Sequence, residues 1–341
     1  MMRAAMLLTP GQGLESRTIE APRPGPGELL VKVEACGVCH TDVHVREAST
    51  FPAGAPTPLI LGHEGIGIVV DRGPGATQIP LGTRVGAPWL HDTCDHCREC
   101  LTGSESFCAT HRAHGYSVHG AFAEYVIVKE RFAPIIPSDI DSVAAAPLMC
   151  AGVTAYGAVL KANLTPGRNC AVIGCGGLGQ YAIQLAKLTG ATVIAVDANP
   201  AKLAEARALG ADATVLAGPE AGAQIRALGG ADACLNFAPT PHIWPMVVEA
   251  INPLGWVISV AMVSEPVPLV LGWLTGNGVR ITGTSVGTRQ ELQDLLALAS
   301  KHKLHIKTET IALDAVNEGL DRLVAGKVEG RLVIDLRNNR Q

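Results

Sequence analysis

The chain has 341 residues, 48% of them apolar and only 17% charged; that balance excludes a disordered chain, and at roughly 150 residues per domain the length suggests about two domains. Lys plus Arg number 27 and Asp plus Glu 31, a net charge of −4 with no basic run, so neither nucleic acid nor an anionic lipid surface is expected as a partner. The apolar N-terminus is too short for a signal sequence, and no apolar patch approaches the roughly 20 residues of a membrane span; the expected location is the cytoplasm.

The first third is rich in Gly and Pro. Residues 21–27 (APRPGPG) break the chain, and 27–35 (GELLVKVEA) partly alternate as a half-buried strand should. Cys39, His40, Thr41, Asp42 and His44, like the run Gly62-His63-Glu64-Gly65, lie in loop-like sequence beside strands. Residues 65–70 (GIGIVV) form a second strand, stopped by DRGPG, and 121–128 (AFAEYVIV) a third. The texture changes near residue 150. Residues 170–173 (CAVI) read as a buried strand, 179–189 as a helix, 191–196 as a strand, 201–209 as a helix ending at Gly210, and 213–216 continue the alternation. Strands alternating with helices imply a parallel, doubly wound sheet. Helices at 289–301 and 315–325 and a strand at 332–336 close the chain. The fold class is α/β, with a nucleotide-binding domain at 152–287 inserted into a β-rich domain built from 1–151 and 288–341.

The spacing Cys94-x2-Cys97-x2-Cys100-x7-Cys108 places four thiolates where they can close a tetrahedral zinc site with no open position, a structural site. His91 and His96 are not needed as ligands and read as surface residues. Cys39, His63 and Cys150 could form a second, three-ligand zinc site with a position open for substrate. Spacing alone leaves the alternative open: Cys39 and Cys150 as small core residues and His63 as a satisfied buried histidine. Gly174, Gly176 and Gly179 make a G-x-G-x-x-G between a strand and a helix, so backbone N–H groups and the helix dipole would face a pyrophosphate. Asp197 ends the next strand, where a carboxylate can hold the adenosine ribose and repel a 2′-phosphate, favouring NAD over NADP; alternatively it caps the following helix, a task Asn199 could take instead.

These motifs together resemble the zinc-dependent alcohol dehydrogenases of the medium-chain dehydrogenase/reductase superfamily, closest to the bacterial and yeast-like, often tetrameric, branch. The anchors are CGVCHTD (36–42), GHEG (62–65), PWLH (88–91), the four-cysteine run, MCAGVT (149–154), the Gly loop and GRLVID (330–335). The resemblance spans essentially the whole chain. It implies a Rossmann coenzyme domain inserted in a GroES-like catalytic domain with a zinc lobe at about 91–112, and two Zn2+ per subunit. Cys39, His63 and Cys150 would hold the catalytic zinc, Glu64 would sit behind it as an alternative ligand, and Asp42 would orient His63. His40 and Arg331 match pyrophosphate contacts. Thr154 and Leu178 match positions at the nicotinamide, Lys202 one near the ribose with Asp197, and Gly177 completes the phosphate loop. Phe51 and Trp89 match walls of the substrate pocket. An alcohol would lose its proton through Thr41 and His44 and pass hydride to NAD. A homo-oligomer, tetramer or dimer, is implied as well.

Departures from the family pattern include Cys175 inside the Gly loop, small but oxidisable, Thr83, Ala261-Met262 and the loop Asn236-Phe237-Ala238-Pro239. They bear on substrate choice and coenzyme affinity. Cys36, Cys170 and Cys234 read as core thiols. An aldehyde or ketone reductase with a specialised substrate, and a non-catalytic NAD- or zinc-binding sensor, are the alternatives; a sensor would be expected to lose Cys39, Thr41, His44 or His63, and all four are present.

Overall fold

The computed structural model describes residues 1–50 and 54–337. The chain divides into two units, one formed by Met1–Cys150 with the segment from Thr288 to the C-terminus, the other by Ala151–Gly287. Among the described residues no single helix is long and apolar enough to cross a membrane.

In the first unit the strand Glu28–Val38 is the spine. Antiparallel partners on it are Gly65–Arg72, Tyr125–Lys129 and Arg331–Asp335, and the sheet continues to Arg84–Ala87 on one side and Thr308–Ile311 on the other. Its burial alternates at first and is complete over its last four residues, as expected of a strand that runs from a half-covered face into a core. Cys36 is paired with Gly65, and Val38 with Leu332. The register therefore brings the residue after Val38, the two residues before Gly65 and the first residue of the closing strand to one end of the sheet: Cys39, His63 and Glu64, and Arg331. A three-stranded sheet joins Met2–Leu7 to Glu15–Ile19 and Leu59–Ile60. The core is a continuous aliphatic cluster that includes Leu7, Leu29, Val31, Leu61, Phe122 and Leu332. The predicted strand at 121–128 begins only at Tyr125; Ala121, Phe122 and Ala123 are buried in irregular chain, with Ala123 bridging Ala4. The four-cysteine segment leaves and re-enters through the short pair Leu90–Asp92 and Arg112–Ala113.

The second unit is a six-stranded, all-parallel sheet in the order Ala213–Leu216, Thr192–Asp197, Asn169–Ile173, Ala231–Asn236, Ile251–Ser259, Arg280–Gly283. Helices Gly179–Leu188, Pro200–Ala208, Ala221–Ala227 and Trp244–Ala250 connect the strands. The strand order reverses between Asn169–Ile173 and Ala231–Asn236, the crevice where such sheets take ligands. The α/β reading and the doubly wound sheet are borne out.

Candidate functional site

Cys39 is not in a loop, as its sequence suggests; it is the N-cap of the helix His40–Arg46. That helix presents Thr41 and His44 three residues apart, one turn along the same face. The buried Asp42 closes its first turn: Oδ2 accepts the Cys39 N–H at 2.9 Å, while Oδ1 accepts the Gly62 N–H at 3.1 Å. One carboxylate thus ties together the two segments that carry Cys39 and His63. It also lies 3.4 Å from His63 Nδ1, an ion-pair distance without hydrogen-bond alignment.

The donor atoms of Cys39, His63, Glu64 and Cys150 all lie within 4.8 Å of one another, and all four residues are buried. The Cys150 thiol beside Cys39 holds the Cys39 pKa well below its ordinary value, while Cys39 pushes Cys150 up. Burial disfavours a charged His63, but Asp42 and Cys39 outweigh it and raise its pKa. Burial lifts the Glu64 carboxyl to about 7 against the opposing pull of Arg331. Glu64 Oε1 accepts from Arg331 Nη2, both side chains being buried. Gly37 makes room for this carboxylate, since a Cβ there would stand 1.8 Å from Glu64 Oε2. Both His63 nitrogens and Glu64 Oε2 are buried without a hydrogen-bond partner, a cost of a few kcal/mol unless something fills the space between them. Two thiols, an imidazole and a carboxylate are a zinc donor set, and these orphaned atoms fit such an ion.

In the four-cysteine segment the sulfur separations are 3.4 Å for Cys97–Cys100, 3.7 Å for Cys94–Cys108 and 3.9 Å for Cys94–Cys100. A tetrahedron with Zn–S bonds of about 2.3 Å has edges of about 3.8 Å, so this cage also fits zinc, with no room for a fifth group. Cys94 and Cys97 accept backbone N–H groups from Cys97 and Cys100, which preorganises the thiolates.

Around the buried cluster, Thr41 Oγ1 is 3.8 Å from Cys39 Sγ. His44 is part-exposed, its Nδ1 3.4 Å from Ser49 Oγ. His40 is exposed. The Trp89 ring stands edge-on to His63 at 88° with centroids 5.1 Å apart. Phe51, the other expected wall, lies outside the described residues. Tyr116 packs on Trp89 at 5.3 Å; nothing in its spacing singles it out. Arg331, expected only as a phosphate contact, is the partner of Glu64. His91, expected at the surface, is buried at 4% exposure against His114, while His96 is exposed as expected; a lone histidine beside a zinc motif carries no signal of burial.

In the second unit the loop after Ile173 turns at Gly174, φ +90°, and the helix Gly179–Leu188 follows Leu178. Gly179 has the Gly174 carbonyl 2.0 Å from where a Cβ would lie, whereas Gly176 faces open space; the loop is closed on itself and open toward a ligand. Gly177 and Leu178 are half-buried beside it. Asp197 Oδ2 accepts the Cys175 N–H at 2.7 Å and Oδ1 the Asn199 N–H at 2.9 Å, and the helix cap is made by Asn199 instead. Lys202 is half-buried on that helix, and Thr154 is buried on the helix Ala151–Lys161. Cys175 is fully buried and its thiol is pushed up to about 12 by burial, the opposite of a reactive cysteine.

Two family models match the chain, Alcohol dehydrogenase GroES-like domain over residues 25–138 and Zinc-binding dehydrogenase over residues 177–301. An alcohol dehydrogenase of Geobacillus stearothermophilus is 38% identical over 340 residues, covering 99% of this chain and 100% of its own. One from Moraxella sp. (strain TAE123) is 38% identical over 336 residues, covering 98% and 99%. Among solved structures, a cinnamyl alcohol dehydrogenase from Sorghum bicolor superposes with a TM-score of 0.90 at 32% identity, over 100% of this chain and 99% of that one.

Proposed function

Because the chain belongs to the zinc-type alcohol dehydrogenases of the medium-chain dehydrogenase/reductase superfamily, and so oxidises small-molecule alcohols reversibly with zinc and a nicotinamide coenzyme, we propose that this reaction runs at the cluster of Cys39, His63 and Cys150 with NAD as hydride acceptor. The observation that carries the reading is the convergence of four buried donor atoms within 4.8 Å, three of them on segments joined by Asp42 and by the sheet register.

Zinc bound there supplies a Lewis acid that makes an alcohol oxygen acidic near neutral pH. Glu64, paired with Arg331, is held in reserve as a further ligand. The Thr41 hydroxyl would accept the alcohol proton as it gives up its own, which would pass by the coenzyme ribose to the part-exposed His44 and on to solvent. The aromatic pair Trp89 and Tyr116 walls the alcohol side and keeps water from the reacting carbon. The backbone from Gly174 through Gly176 and Gly177 to Gly179, with Leu178, receives the pyrophosphate and the nicotinamide face, and His40 and Thr154 add coenzyme contacts. Asp197, freed from capping by Asn199, holds the ribose with Lys202 and repels a 2′-phosphate. The unit 1–150 with 288–341 is read as the catalytic domain and 151–287 as the coenzyme domain.

A second zinc in the Cys94, Cys97, Cys100 and Cys108 cage makes two per chain. We read the protein as a homo-oligomer: Arg280–Gly283 is the edge strand of the parallel sheet and largely exposed, and a second copy would cover it. Ten cysteines with no disulfide among them suit a reducing compartment such as the cytoplasm. Reduction of NAD+ across primary, secondary and aromatic alcohols, before and after chelation and beside NADP+, tests the reading. Turnover lost on chelation and a preference for NAD+ that falls at least about tenfold (about 1.4 kcal/mol) in Asp197→Ser support it; NADP+ preference in the parent chain contradicts it.

A further inference from the structure

Behind the Trp89 ring two histidines are sealed from solvent. His91 and His114 cross edge to face with centroids 4.7 Å apart, and His91 Nδ1 lies 3.0 Å from His114 Nε2. His114 Nδ1 is 2.7 Å from the Pro88 carbonyl. Of the two carbonyls that face the ring this one is the nearer, and a carbonyl only accepts, so the hydrogen of a neutral ring is assigned to Nδ1. Burial pushes both rings toward neutrality, His91 down to about 2; the charges facing them are Asp92, Arg112 and Lys129 at His91, and His63 and Asp92 at His114. A neutral His114 with hydrogen on Nδ1 has a bare Nε2, which accepts from His91 Nδ1–H. The Ile127 carbonyl, 3.1 Å from the same Nε2, would find a donor there only in a protonated ring. His114 also donates its backbone N–H to the Trp89 carbonyl at 3.0 Å. One residue therefore grips two successive carbonyls, those of Pro88 and Trp89, and the side chain carried by that segment abuts His63.

We propose that His114, oriented by His91, is a positioning residue that clamps the Pro88-Trp89 segment and so fixes the Trp89 ring against His63. Its bearing on the reaction rests on the reading of Trp89 as a wall of the alcohol site. A ring free to swing would blur the pocket without touching hydride transfer, so the loss falls on KM more than on kcat. His114→Phe keeps a planar aromatic ring, though a larger one, and removes the donor to Pro88; His114→Asn offers an amide N–H where Nδ1 stood.

The test uses holoenzyme labelled with fluorotryptophan, in which Trp89→Phe identifies the Trp89 resonance among those of the four tryptophans. His114→Phe is expected to shift or broaden the Trp89 resonance and to raise KM for bulky alcohols about tenfold with kcat within about twofold, and His114→Asn to restore both in part. An unmoved Trp89 resonance in His114→Phe overturns the clamp. So does a moved resonance with unchanged KM where Trp89→Ala does change KM. If Trp89→Ala itself leaves KM and alcohol ranking unchanged, the wall reading is what fails. Nitrogen-15 spectra of the unaltered enzyme give a check that needs no variant: hydrogen on His114 Nδ1 and a bare Nε2 from about pH 6 to about pH 8. Hydrogen on Nε2 overturns the proposal.

Discussion

At the scale of single residues, Asp42 illustrates what a buried carboxylate does for the backbone around it. Its two oxygens accept the N–H groups of Cys39 and Gly62, so its work is to hold two ligand-bearing segments in register. The resemblance assigns it only the orientation of His63; the backbone bonds are invisible in sequence because Gly62 is 20 positions away. Asp42→Asn keeps the shape but turns one acceptor into a donor facing an N–H. It should cost about 1–3 kcal/mol in denaturant unfolding and weaken zinc retention roughly 10–100-fold against a competing chelator; a variant that keeps parent zinc affinity would contradict this role. The buried pair His91 and His114 makes a prediction about acid. Their folded pKa values lie below the ordinary 6.5, so below that pH the unfolded chain binds protons the native chain refuses. Stability is then full above about pH 6.5 and falls as the pH drops, by at most about 1.4 kcal/mol per pH unit for a ring that stays neutral in the fold. His91→Phe should remove one ring's share of that slope in unfolding measured from neutral pH to about pH 5; an unchanged slope would mean the ring already charges in the fold.

Elements were legible where a local period or a cap marks them. The helix Gly179–Leu188 shows its buried face as Ala182, Ile183, Leu185 and Ala186, and Arg289–His302 begins at a capping box between Thr288 and Glu291. Ala151–Lys161 escapes such reading because it has no charged residue before Lys161 to mark a polar face, and its glycines and β-branched residues lower the propensity further. His40–Arg46 is short and takes its start from Cys39, an uncommon cap. Arg289–His302 also has an anchor that spacing does not show. Glu105, between Cys100 and Cys108 in the four-cysteine lobe, is buried and accepts both the backbone N–H and the Nε of Arg289, at 2.9 and 3.2 Å, while the Arg289 guanidinium lies over Phe132 at 4.4 Å. The lobe therefore holds the first turn of a helix far from it in sequence. Cys97→Ser, which opens the cage, should speed hydrogen exchange at the amides of residues 289–291 while leaving the Gly179–Leu188 helix protected; equal protection at both would uncouple lobe and helix.

On the scale of the whole molecule, the same residue type takes its role from place. Cys170, Cys175 and Cys234 are fully buried, their thiols raised by burial, and belong to neither donor cluster among the described residues, whereas Cys39, Cys150 and the lobe cysteines stand in clusters. The lobe is readable because its four ligands fall within fifteen residues. The other cluster joins positions from 39 to 150, with Arg331 reaching Glu64 across 267 residues; only strand register, not spacing, brings them together, and the family resemblance had to supply the set. The central claim is that these two clusters are two zinc sites with different work. Zinc content by mass spectrometry of the purified chain, measured beside NAD+-dependent alcohol oxidation in His63→Ala, tests it most directly. The account predicts two zinc ions per parent chain and one in the variant, with turnover gone and NAD binding retained. Two zinc ions and undiminished turnover in His63→Ala would contradict it.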